Sequence, residues 1–112
     1  MIYEIRDYHY LPEKFDAYKS WGDEAVPVLK EILDVVGFYI DAGHEPEVTG
    51  SHPERPSIGY ANITWIIRWA NKAERDEKFG AIMRSPQWAA VWAKHPDPNG
   101  YVQMLSRFTE AI

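Results

Sequence analysis

Between Ile2 and Tyr10, β-branched and aromatic residues recur every second or third position, and the run stops at Leu11-Pro12. That pattern predicts a strand followed by a turn. Alternation puts Glu4, Arg6 and Tyr8 on one face and Tyr3, Ile5 and Asp7 on the other, and the second face is expected to meet the core. From Pro12 the period changes. Phe15, Tyr18, Gly22, Ala25, Leu29 and Ile32 fall three and four apart, the stripe of an amphipathic helix, and Pro27 inside it predicts a kink or break near Val26. Val35 to Asp41 alternates as a second strand. Residues 42–60, punctuated by Gly43, Pro46, Gly50, Pro53, Pro56 and Gly59, keep no apolar period and read as a long loop, either a binding loop or a mobile connection.

Ala61 to Ala70 gives the strongest strand, with Ile63, Trp65, Ile67 and Trp69 on one face and Asn62, Thr64, Ile66 and Arg68 on the other. Asn71 with Glu74 three residues later predicts a capped helix that buries Phe79, Ile82 and Met83. Ser85-Pro86 opens a further short helix carrying Trp88, Val91, Trp92 and His95, and Pro96 to Gly100 ends it. Tyr101 to Phe108 completes the set as a strand. A βαββαβ order predicts an α+β, ferredoxin-like protomer: one antiparallel four-stranded sheet with the helices on one face.

The other face would be bare. If Ile5, Phe38 and Ile66 meet the helices, then Tyr8, Tyr39, Trp65, Ile67 and Trp69 lie on the uncovered side. Four aromatics at roughly 150 to 250 Å² each exceed the patch of about 300 to 600 Å² that a monomer ordinarily leaves wet. A second copy laid sheet to sheet about a two-fold axis is the simplest cover, so a homodimer is expected. The long loop folding back over the sheet is the alternative.

The 112 residues suit a single domain over 1–112, with 46% apolar and 26% charged residues as in ordinary globular proteins. Twelve Lys and Arg against seventeen Asp and Glu leave a net charge of -5 and no basic run, which argues against nucleic acid. With no Cys there is no disulfide framework and no thiol chemistry. The charged start and the lack of a long apolar run argue against a leader peptide and a membrane, and point to a soluble, cytoplasmic protein.

Several short segments carry a resemblance. Ile2-Tyr3-Glu4-Ile5-Arg6 with Tyr8, Pro12-Glu13-Lys14, Val36-Gly37-Phe38-Tyr39, the strand ending in Trp69, Ala73-Glu74-Arg75, and Ser85-Pro86-Gln87-Trp88 together resemble the NIPSNAP family, from Met1 to about Phe108. The resemblance implies the dimeric α+β barrel superfamily, in which two protomer sheets close into a barrel. Relatives in that superfamily include haem-degrading and antibiotic-biosynthesis monooxygenases and small-molecule isomerases, whose activities fold alone does not transfer. Two features depart from the family pattern: Glu13 stands where Gly is usual after the proline, and the 42–60 connection is longer than in most members.

Glu4, Arg6 and Tyr8, two apart on one strand, form a possible polar site in which Arg6 would hold an anion and Glu4 would serve as a base, an anchor or a buried ion-pair partner. Trp65 and Trp69 share a strand face and, with Tyr39, are the aromatic candidates for a ligand pocket, although core packing explains such a stripe equally well. Asn62 and Thr64 are expected near the helices, across from Tyr18 and Trp21. His44 and His52, with Glu45, Glu47 and Glu54, are metal-ligand types without close spacing, so a solvated loop is expected and no cofactor is assigned. His95 would cap a helix as an imidazolium, and His9 would move a proton only if it faced a cavity. These residues support a homodimer that binds or transforms a small apolar or aromatic metabolite. The alternatives are a non-catalytic interaction module and a cofactor-independent or haem-dependent monooxygenase.

Overall fold

In a computed structural model describing residues 1–112, four strands form one antiparallel sheet with helices packed on one side. Strand β1 spans Ile2–Tyr10, and a 3-10 turn at Pro12–Lys14 leads into helix α1, Phe15–Ile32. Strands β2 (Val35–Ile40) and β3 (Ile63–Trp69) follow, then helices α2 (Lys72–Ile82) and α3 (Pro86–Trp92) and strand β4 (Tyr101–Thr109). The order across the sheet is β2-β3-β1-β4, which puts β1 and β3 at the centre and leaves β2 and β4 as edges. This is the expected ferredoxin-like arrangement. The sheet is open, not closed into a barrel within the chain.

The caps read from the sequence are present. The Asn71 side chain accepts the Glu74 N–H at 2.8 Å, and the Glu74 carboxylate reaches back to the Ala70 N–H, one residue beyond the usual capping-box partner. Ser85 accepts from the Trp88 N–H at 3.4 Å. Pro27 is a correction: α1 continues through it without a break. The missing N–H costs about 3 kcal/mol in a helix interior. Here that cost is offset by the buried stripe of Tyr18, Trp21, Ala25 and Leu29, which holds the helix on the sheet.

On β1 and β3 the two faces of the sheet are the reverse of the expectation, whereas Phe38 and Tyr39 on β2 lie on the sides expected. Tyr8, Trp65, Ile67 and Trp69 pack under the helices in the buried core, together with Glu4. Phe38, opposite Trp65 in the ladder, packs there too. Ile5, Ile66, Thr64 and Arg68 lie on the open side, where Tyr39 is 54% exposed and Leu105 46%. The open face therefore mixes a few apolar residues with Asp7, Arg68 and Arg107, and the large aromatic patch that motivated a dimer is inside. Thr64 donates to Asp7 at 2.6 Å on that open face, and Asn62 clamps the backbone of Tyr10 through both amide atoms; neither approaches the helices as expected. The reason is ionic: the face carrying Glu4 and Arg6 could be buried because its charges find partners within the fold.

Residues 42–60 run without helix or strand and are exposed almost throughout, as expected for a loop. Gly100 is fixed by a close approach. A Cβ there would stand 2.7 Å from two ring atoms of Tyr10, whose hydroxyl is tied to the Asp97 carbonyl at 2.8 Å. Gly100→Ala is therefore expected to cost about 1 to 3 kcal/mol by overpacking, seen as a lower urea midpoint with an unchanged slope.

Candidate functional site

Between the helical layer and the sheet lies a cavity of about 410 Å³, within the size range of small-molecule sites. Helix α1 supplies Tyr18, Trp21 and Ala25, because residues three and four apart share a face; α2 supplies Phe79 and the residue after its end, Met83, and α3 supplies Trp88 and Trp92. The floor is the sheet, through Tyr8, Trp65, Phe38 and Tyr101. Trp21 also donates its indole N–H to the Val91 carbonyl at 2.9 Å, which fastens α1 to α3 across the cavity roof. Gly22 borders the space, and a Cβ there would meet nothing within 4 Å.

One charged residue lines this apolar space: Arg6. It is held on all sides. Its Nη1 donates to Glu4 Oε2 at 2.7 Å and its Nε to the Tyr8 hydroxyl at 2.6 Å, while its guanidinium lies 4.9 Å from the Phe79 ring centre and 5.7 Å from that of Trp65. Behind it Glu4 is fully buried at 0% exposure. Its Oε1 accepts from the Trp69 indole at 3.0 Å and from Arg75 Nε at 3.1 Å, and its Oε2 accepts from Arg75 Nη2 at 2.9 Å as well as from Arg6. Four donors fill a carboxylate. Burial alone would raise the pKa of Glu4, but the hydrogen bond from Arg75, the charge and hydrogen bond of Arg6 and the Trp69 indole together hold it below the ordinary value. Glu4 is thus ionised and saturated, which removes it as a general base and leaves the anchoring role.

A second polar group closes the other side. His95 is buried. Its Nδ1 accepts the Asp97 N–H at 3.0 Å, so the ring proton sits on Nε2 and is donated to the Tyr101 hydroxyl at 2.7 Å. Burial holds the imidazole pKa below the usual value against the pull of Asp97. His95 is therefore neutral and internal, not the imidazolium cap expected from its place after a helix. Burial also raises the pKa of the hydroxyls of Tyr8, Tyr18 and Tyr101, so all three stay protonated.

Of the six pocket candidates read from the sequence, Arg6, Tyr8 and Trp65 line the cavity. Glu4 and Trp69 stand behind Arg6 as its support, and Tyr39 is on the opposite face of the sheet. Arg75 was not singled out as a site residue, since it lies seventy-one positions from Glu4, and His95 was read only as a helix cap although its partner Tyr101 stands six residues on. The stripes Trp88–Trp92 and Phe79–Met83 carried the signal for the helical wall. His9 faces away from the cavity, its Nε2 2.9 Å from the Gly59 carbonyl. His44 and His52 are exposed in the loop, and no three His, Asp or Glu side chains cluster to hold a metal ion.

Comparison with solved structures bears on this architecture. A NIPSNAP family protein of unknown function from Agrobacterium tumefaciens superposes with a TM-score of 0.65 at 20% identity, covering 97% of this chain and 86% of that one. An uncharacterised NIPSNAP domain protein from Burkholderia xenovorans does so with a TM-score of 0.68 at 12% identity, covering 100% and 95%. The chain has the NIPSNAP fold. An ethyl tert-butyl ether D (EthD) family protein from Bacillus halodurans shares the same architecture more distantly, with a TM-score of 0.51 at 12% identity over 100% of both chains. No family model matches the chain, and no curated protein does. The resemblance to NIPSNAP proteins thus rests on fold and on the short motifs, and those NIPSNAP structures bring no function with them.

The Glu4 cluster generates a prediction. Glu4→Gln leaves the mostly buried Arg6 guanidinium without its carboxylate and Arg75 with Asp76 alone, and is expected to cost about 3 kcal/mol. Since the folded pKa is lowered, the contribution is fully present above the ordinary glutamate value of about 4.3 and is lost as pH falls through the folded value. Urea midpoints compared between pH 7 and pH 3 should show a steeper acid loss in the wild type than in Glu4→Gln.

Proposed function

We propose that this protein is a NIPSNAP-like homodimer that binds a small, flat, apolar or aromatic molecule in the cavity between sheet and helices of each protomer. The observation that carries the reading is an aromatic-walled space of about 410 Å³ whose polar side chains are few and fixed. A concave apolar space of this size takes much of a small ligand's surface out of water, and the fixed polar groups orient it at little entropic cost. What supports the homodimer is the open sheet face, where Tyr39 and Leu105 are exposed on the same side as the partly exposed Ile5 and Ile66. No reaction is assigned, because Glu4 is saturated and no carboxylate or imidazole lines the cavity.

Gly22 makes the binding reading testable without damage to the fold. A leucine there projects into open space and gains about 1 kcal/mol of helix propensity over glycine. Titration with the neutral fluorophore N-phenyl-1-naphthylamine should give saturable enhancement at one site per wild-type chain. In Gly22→Leu it should fall at least tenfold while the melting temperature stays level or rises. No enhancement in the wild type, or equal enhancement in both, overturns the cavity as the site. Sedimentation at micromolar concentration should give twice the chain mass, and a monomer would overturn the two-fold arrangement.

A further inference from the structure

The one charged side chain at the cavity is a donor, and the neutral polar groups beside it have N–H or O–H protons to give. Arg6 uses Nε and Nη1 within the protein, and its Nη2 has no protein partner. The Trp65 indole N–H is buried and unpartnered; it lies toward the Tyr8 hydroxyl but outside hydrogen-bond geometry. An orphaned N–H of this kind is uncommon inside a folded protein and is a vacancy for an acceptor. Tyr8 accepts from Arg6, and its own proton finds no protein acceptor. Tyr101 accepts from His95 Nε2, so its proton is directed elsewhere, and Tyr8, Tyr18 and Tyr101 lie close enough to influence one another's ionisation.

Anionic acceptors are missing. No Asp, Glu, Asn, Gln, Ser, Thr or His side chain lines the space. Charge points the same way: Glu4 divides its charge between Arg6 and the partly exposed Arg75, which also meets Asp76 at 3.3 Å, and the charged member that faces the cavity is Arg6. A guanidinium clamped between a carboxylate, a tyrosine and aromatic rings is already ordered, so a ligand meets a pre-organised donor fork.

From this we infer that the cavity selects a monoanion, an aromatic or alicyclic carboxylate or enolate, whose charged oxygen is received by Arg6 Nη2, the Trp65 N–H and the Tyr8 hydroxyl and whose ring lies among the aromatic walls. Amines are rejected, since an ammonium there would face a guanidinium and find no carboxylate, only neutral tyrosine hydroxyls. The inference rests on the cavity being the ligand site, and it adds the ligand's charge.

Three probes of one shape separate the two statements: 2-naphthoate, 2-naphthamide and 2-(aminomethyl)naphthalene, titrated calorimetrically at pH 7. 2-Naphthoate should bind at least tenfold tighter than 2-naphthamide, and the amine should not bind measurably. Arg6→Gln should bring acid and amide to within about twofold of each other. Trp65→Phe, which keeps an aromatic wall and removes the N–H, should weaken 2-naphthoate several-fold more than the amide and serves as the second variant should Arg6→Gln unfold. Acid and amide binding equally to the wild type, or the amine binding as well as the acid, overturns the charge selection and leaves the cavity as the site. If none of the three binds, the cavity reading falls and the inference with it.

Discussion

A carboxylate with no exposure to water organises the rest of this molecule. Taking Glu4 out of solvent is costly unless both oxygens are paired and the charge is met, and the fold meets it with three side chains from three elements: Arg6 on the same strand, Trp69 on the neighbouring strand and Arg75 on a helix. Each satisfied donor is also a constraint on position. β1 and β3 are held in register, α2 is docked over the end of the sheet, and the Arg6 guanidinium is locked at the edge of the cavity instead of extending into water.

That constraint explains why the aromatic residues are where they are. With the Glu4–Arg6–Tyr8 face turned under the helices, alternation carries Trp65, Ile67 and Trp69 inward with it, and the helical stripes close over them. Many of the rings meet edge-on or tilted, as Trp21 does with Trp88 and Trp92, with centroids 5.9 Å apart in both pairs. Wide, stiff rings meeting in this way leave space between them, and the cavity is that space. The same cluster that stabilises the protomer thus provides a rigid, charged end to an apolar site. Stability and recognition draw on the same contacts, so changes at Glu4 affect both and changes at Gly22 separate them.

The elements were legible from residue order. Strand alternation, the Asn71 and Ser85 caps and the turn at Pro96 to Gly100 all act within a few residues, and local patterning placed the βαββαβ order and the long loop. The face of the sheet was not legible, because β3 carries apolar bulk on both sides, and β1 offers Ile5 on one side and Tyr8 on the other. Giving the core to the Tyr3, Ile5 and Asp7 face, with the Glu4–Arg6–Tyr8 face left for a second copy, was the wrong choice. Pro27 failed as a helix breaker for a related reason: its penalty is local, and the packing that outweighs it comes from the sheet.

By itself, then, the sequence determined which segments become strands and helices, since backbone sterics, capping and periodicity are short-range. It also contained the residues of the site, Arg6, Tyr8 and Trp65 among them. Only the tertiary structure decided which way the sheet turned, for that depended on Arg75, seventy-one positions from Glu4, arriving to neutralise a buried carboxylate. It likewise decided that His95 is a neutral donor, because the state of an imidazole follows from what its two nitrogens touch, and its Tyr101 partner comes from another element.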